Sequence, residues 1–205
     1  MFGNGVYRAS ATRSPTASAE GMSEAEKTRL TAPALKDAGI AEAIVCASDA
    51  ARDQFEYHAA PVREPAFKVT LCTHPRPEEL GNAWGVMAAS RFLVGDFLVY
   101  FGDILCRTNL RGMVEAWVAQ DGNAAAMLAV APLLRTDKGV VTLDGPKVIT
   151  VLEKPVLALP NLVGIDIFHR DTLPLFDPSA DLHRDVVGRL LAEPRQVDDA
   201  RGRRA

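Results

Sequence analysis

The sequence predicts a three-layer α/β fold built on a mixed, mostly parallel sheet. Three observations carry this. From residue 40 to about 130, short apolar segments of strand length alternate with longer helical ones, the order that produces βαβ units. One segment, residues 97–101 (FLVYF), is apolar throughout, as a strand covered on both faces must be. Further on, residues 140–143 and 148–152 flank Asp144-Gly145-Pro146, a turn signal, and predict a hairpin whose antiparallel pairing makes the sheet mixed.

The elements follow in order. Residues 1–30 are rich in Ala, Ser, Thr and Arg and nearly empty of Val, Ile and Leu, too little apolar surface to offset the entropy of ordering. Ser23-Glu24-Ala25-Glu26 is a capping-box pattern that starts a helix. Pro33 interrupts or restarts that helix, and Gly39 suits the position just past its end. Strands are expected at 43–47 and 67–73, with a helical or turn segment at 49–58 between them. A helix over 80–92 leads to the strand 97–101. An amphipathic helix over 110–119 and a strand over 124–131 come next. The hairpin, a strand over 162–168 and helices over 170–176 and 182–192 complete the domain. Its expected limits are 31–195, between a poorly ordered segment 1–30 and a disordered tail 196–205.

Composition excludes several classes. With 205 residues, one core can bury roughly 70% of the unfolded surface. Hydrophobic residues at 48% and charged residues at 24% are ordinary for a globular domain, which excludes fibrous and wholly disordered chains. A formal charge of −3 gives no basic surplus for nucleic acid. No apolar run is long enough to span a bilayer, and no signal-peptide core is visible. Cys46, Cys72 and Cys106 are scattered, without a C-x-x-C pair, which argues for a reducing compartment, and the cytoplasm is the expected location. His58, His74, His169 and His183 lack metal-ligand spacing and read as surface or loop residues. No P-loop, H-E-x-x-H or G-x-S-x-G occurs, and Gly3-Asn4-Gly5 has no strand before it.

Three places carry candidate chemistry. Gly102-Asp103 directly follows the FLVYF strand, and an acid at the carboxyl end of a buried strand lies where open α/β sheets bind ligands. A carboxylate there can hold Mg²⁺ together with substrate phosphates; the plainer alternative is a cap on the next turn. Glu153-Lys154-Pro155 closes the second hairpin strand, where Lys154 can neutralise a phosphate or simply form an exposed ion pair. Gly81, in Leu80-Gly81-Asn82-Ala83, opens a helix with backbone N–H groups that a ligand can approach, or serves as part of a cap.

Taken in order, LGNAWG, FLVYFGD, EKP and NLVGIDIF resemble the sugar-1-phosphate nucleotidylyltransferases, which include glucose-1-phosphate thymidylyltransferase and mannose-1-phosphate guanylyltransferase. Ala38-Gly39-Ile40 followed by AIVCA resembles the family's first helix–strand step. The resemblance covers about residues 30–195. It implies a Rossmann-like fold, and a reaction in which a nucleoside triphosphate and a sugar 1-phosphate give a nucleotide sugar and pyrophosphate. It further implies that Asp103 ligates Mg²⁺ beside Gly102 and Lys154 holds the sugar phosphate. Glu153 and Gly164 would face the sugar, and Gly81 would lie near the base or the sugar.

The sequence also departs from that family. Its opening strand and Gly-rich G-G-x-G-T-R-L loop are not found, and no P-K pair to help hold the triphosphate stands near Gly3-Asn4-Gly5. Asp166 stands where a Tyr is usual, and the second metal-binding Asp has no clear counterpart, Asp198 and Asp199 lying in the charged tail. Weak triphosphate binding and impaired turnover are therefore expected. The alternative is an inactive remnant that binds a sugar phosphate or a partner subunit. A missing strand would leave a sheet edge exposed, which invites a partner such as a second copy in a homo-oligomer.

Overall fold

The computed structural model describes residues 5–10, 24–52, 67–102, 104 and 108–192. The first strand, β1 (Gly5–Ser10), is followed by helix α1 (Glu24–Asp37) and the parallel pair β2 (Glu42–Ser48) and β3 (Lys68–His74). Helix α2 (Trp84–Ala89) leads to β4 (Phe97–Tyr100), and helix α3 (Leu110–Val118) leads to β5 (Ala124–Ala131). A short strand β6 (Leu134–Arg135) precedes the hairpin β7 (Val140–Asp144) and β8 (Lys147–Leu152), and β9 (Val156–Leu157) returns to pair with β6. Strand β10 (Asn161–Phe168) runs back through the core, and helix α4 (Gly188–Ala192) is the last described element.

The central sheet has the order β1-β5-β10-β4. Its alternating residues face two apolar clusters. Met127, Ala129, Ile165 and Ile167 pack against Leu110, Met113 and Trp117 of α3. Ala126, Leu128, Phe97 and Phe168 pack on the other face against Ala83 and Val86 near α2, with Phe176, Leu182, Val186 and Val187. Leu110, Met113 and Trp117 are three and four residues apart, so one helical stripe supplies that contact. The Asn109 side chain caps α3 by accepting the Gly112 N–H at 3.0 Å.

The mixed α/β character agrees with the sequence reading. A mostly parallel sheet is not what the described residues form: only the pairs β1–β5 and β2–β3 are parallel, and the other four pairings are antiparallel. Two further differences have physical causes. Strand β4, read as covered on both faces, ends the central sheet, so beyond Phe97 its residues are only half-buried. Strand β1 lies where the residues suggest no strand. Its backbone is held by parallel pairing to β5, a long-range contact that local composition does not reveal.

Helix α1 runs through Pro33 without a break; the proline is exposed, so the ladder bond it lacks faces water. Gly39 ends the chain's helical path with φ +84°, and its N–H reaches the Lys36 carbonyl at 2.9 Å. Within the segment 49–58, Asp49–Ala51 forms a 3-10 turn, and residues 53–66 lie outside the described residues. The expected helix 182–192 opens as a wide π-helical turn, Leu182–Val187, which brings Leu182, Val186 and Val187 together into the core. Across β2 and β3, Cys46 and Cys72 are register partners and free thiols. Burial pushes the Cys46 thiol up to about 12, and it donates to the Gly85 carbonyl at 3.1 Å. No helix of the described residues is long and apolar enough to cross a membrane.

Candidate functional site

Two of the expected site glycines, Gly102 and Gly164, stand at the carboxyl end of β4. Gly102 lies two residues past the end of β4 and is exposed. Just before it, the Phe101 N–H donates to the Gly164 carbonyl at 3.0 Å, tying the end of β4 to β10. Gly164 is buried with φ +80°, a conformation side-chain-bearing residues avoid. A Cβ there would fall on the tip of Ile104 and lie 2.8 Å from the Phe101 ring. The glycine thus lets the chain after β4 lie directly on β10. Asp103 itself lies outside the described residues.

Gly81 has a packing reason as well. A Cβ at this position would fall on the Ala180 carbonyl oxygen. The Gly81 N–H donates to the Pro178 carbonyl at 2.9 Å, and the Ala83 N–H to the Ala180 carbonyl at 3.1 Å. Asn82 completes the seam: its Oδ1 accepts the Leu182 N–H at 2.6 Å and its Nδ2 donates to Asp181 Oδ2 at 3.1 Å. So the loop ahead of α2 and the segment 178–182 are stitched together, and that seam positions the π-helical turn.

The turn carries a residue that the sequence reading assigned to the surface or a loop. His183 is half-buried, and its Nε2 lies 2.8 Å from Asp166 Oδ2 on β10. The Asp166 side chain is fully buried, and its Oδ1 has no hydrogen-bond partner. The hydrogen bond from Asp166 is the main cause raising the His183 pKa above its ordinary value. The ring also meets Phe101 edge-on, with centroids 5.5 Å apart. One signal for this pair was present in the sequence: an aspartate within the apolar strand NLVGIDIF needs a partner if that strand is buried.

Glu153 and Lys154 stand on the exposed turn after β8. Among the described residues no side-chain hydrogen bond or ion pair involves either of them, and a Cβ on Gly139 would lie 3.5 Å from Glu153 Oε2. Lys154 holds φ +44°, and only Asp121 shares such a backbone among the described non-glycine residues.

Mg²⁺ requires several oxygen ligands. Among the described residues no three His, Cys, Asp or Glu side chains converge on a metal position. Asp166 Oδ2 is already engaged by His183, leaving one oxygen and an imidazole nitrogen, a set that does not suit this ion. The described residues therefore do not form a magnesium site.

The opposite end of β4 is structural. Asp96 accepts the Trp117 indole N–H at 3.0 Å and the Arg170 backbone N–H at 3.1 Å, and lies 3.4 Å from His169 Nε2. It locks α3 and the segment after β10 to the start of β4.

The fold has solved counterparts. HddC from Yersinia pseudotuberculosis superposes with a TM-score of 0.57 at 17% identity, over 88% of this chain and 83% of that one. A putative glucose-1-phosphate thymidylyltransferase from Bacillus anthracis, solved with a sucrose, gives 0.58 at 16% identity, over 81% and 70%. The inositol-1-phosphate CTP transferase from T. maritima gives 0.55 at 13% identity, over 83% and 69%. No curated protein matches the sequence significantly. The family model for nucleotidyl transferases matches residues 24–176, which include Gly81, Gly102 and Gly164, and the chain belongs to the nucleotidyl transferase family.

Proposed function

We propose that this nucleotidyl transferase joins a nucleoside triphosphate to a sugar 1-phosphate and releases pyrophosphate. The observation that carries this reading is the bond from Phe101, the residue before Gly102, to Gly164 at the carboxyl end of β4, within the segment matched by the family. A sugar-phosphate oxygen attacks the α-phosphorus, the bond to the β-phosphate bridging oxygen breaks, and pyrophosphate leaves with that electron pair. Such a reaction needs positioning and neutralisation of charge more than covalent help.

In this reading Lys154 holds the sugar phosphate. Its left-handed backbone supports the assignment, because strained residues concentrate at binding sites. Glu153 and Gly164 face the sugar, Gly81 lies near the base or the sugar, and Asp103 is the residue assigned to Mg²⁺. A Rossmann-like arrangement belongs to the same reading, as does a cytoplasmic location. The exposed Val141, Leu143, Val148, Ile149 and Val151 of the hairpin support association into a homo-oligomer.

The sequence has no G-G-x-G-T-R-L loop, and a site for a triphosphate needs convergent N–H donors and cations. Triphosphate binding is therefore weak and turnover impaired. This same feature favours the second reading, a domain that binds sugar phosphate or a partner subunit without catalysis. A pyrophosphate-release assay across the common triphosphates and several sugar 1-phosphates separates the two. Slow release that requires both substrates supports the transferase, and none with any pair supports the binding domain. Turnover at or above ~1 s⁻¹, the ordinary enzyme range, would contradict the impairment.

A further inference from the structure

Asp166 sits between Val99 of β4 and Leu128 of β5 in the central sheet, on the face lined by Ala126, Phe168, Leu182 and Val186. Among the described residues only His183 compensates a carboxylate in this apolar setting, and a buried charge without a partner is costly. Nε2 meets Oδ2 at 2.8 Å, so this nitrogen carries a proton. The other ring nitrogen, Nδ1, lies across the imidazole and points away from the buried carboxylate. The His183 side chain is 21% exposed.

The other polar groups of the turn are committed. Asp181 Oδ1 accepts the Arg184 N–H at 2.8 Å and its Oδ2 accepts from Asn82. The Arg184 guanidinium is paired with Asp185, each of two N–H groups at 2.8 Å from a carboxylate oxygen. Among the described residues, nothing receives a hydrogen bond from His183 Nδ1. The ring rests edge-on against Phe101, the residue before exposed Gly102.

We propose that His183, as the imidazolium, is a phosphoryl-binding residue: with its Nε2–H held by the Asp166 carboxylate, its Nδ1–H donates to an anionic phosphate oxygen beside Gly102. Asp166 acts as a positioning residue. The assignment of this phosphate to a substrate rests on the nucleotidyl-transfer reading; the recognised group, a phosphate oxygen, is common to sugar 1-phosphates, triphosphates and pyrophosphate.

The test uses the full chain with ¹⁵N-labelled histidine. Titration with inorganic phosphate should shift the His183 ring nitrogens saturably while the other three histidine rings stay in place. His183→Gln keeps an amide donor for Asp166 and removes the second donor, so phosphate affinity should fall about tenfold, the usual scale for losing a charge-assisted hydrogen bond. Asp166→Asn should weaken phosphate binding while also moving the His183 titration midpoint down, a change that a purely structural role would not produce. Glucose 1-phosphate, pyrophosphate and a nucleoside triphosphate identify the source, since the loss should be confined to the ligand whose phosphate lies there or shared by all three. A parent chain whose His183 signals ignore phosphate, or a folded His183→Gln chain with parental affinity for all four ligands, overturns the proposal. Phosphate binding at His183 without any pyrophosphate release would overturn the reaction and leave this site standing.

Discussion

Replacing Gly164 by alanine tests the geometry of the cleft most sharply. Two penalties add at this position. The backbone holds φ +80°, which costs a side-chain-bearing residue about 1–2 kcal/mol. The new methyl would fall on the Ile104 tip and lie 2.8 Å from the Phe101 ring, an overpacking that costs about 1–3 kcal/mol after those side chains shift. The sum is about 2–5 kcal/mol, a large part of the ~5–15 kcal/mol that holds a domain together. For a chain of this size, 3 kcal/mol lowers Tm by about 6–12 °C. Urea unfolding of the parent and three variants separates the two contributions. Gly145→Ala, at φ +54° with nothing within 4 Å, carries only the backbone penalty. Gly95→Ala, which also meets nothing within 4 Å and has no positive φ, should be neutral or slightly stabilising. If Gly164→Ala is no worse than Gly145→Ala, the close approach of residues 101–104 to β10 is wrong.

Two further changes probe the polar contacts. Because Asp166 raises the folded pKa of His183 above its ordinary 6.5, the stability this pair contributes is fully present below about pH 6.5 and is lost as pH rises through the folded value. His169, whose pKa burial lowers, acts in the opposite sense, costing stability as pH falls through about 6.5, so the parent must be compared with His183→Gln. The difference in unfolding free energy between them should shrink as pH is raised above 6.5; a difference independent of pH from 5 to 9 would refute the pairing. Asp96→Ala strips the Trp117 indole and the Arg170 N–H of their acceptor and should destabilise by about 1–3 kcal/mol in urea titration, with loss below 0.5 kcal/mol counting against the lock.

What was legible in the sequence followed local chemistry. The strand Ala124–Ala131 is an apolar run bounded by Gly122-Asn123 and Pro132, and its limits agree with the reading to the residue. The hairpin turn at Asp144-Gly145 and the helical end at Gly39 were legible because glycine takes a positive φ where other residues resist it. What was hidden depends on contacts distant in sequence. Strand β1 exists through pairing with residues more than a hundred positions away, and β6 and β9 are two-residue strands that only their mutual pairing defines. Gly81 packs so closely on the backbone of Ala180 that a Cβ would fall on its carbonyl, a contact with a segment far along the chain. His183 has no motif around it. It becomes notable only when the Asn82–Leu182 bond and the π-helical turn swing it onto a buried aspartate of another element.

The most direct test of the central claim, that this nucleotidyl transferase takes a sugar 1-phosphate, is calorimetric titration of the full chain with glucose 1-phosphate, mannose 1-phosphate and the corresponding free sugars. The account predicts saturable one-to-one binding of at least one sugar 1-phosphate and none of its free sugar. Lys154→Ala should weaken that binding by about tenfold with an unchanged unfolding midpoint, because substitution at an exposed position costs little stability. The absence of heat with every sugar 1-phosphate, or equal affinity in parent and Lys154→Ala, would contradict it.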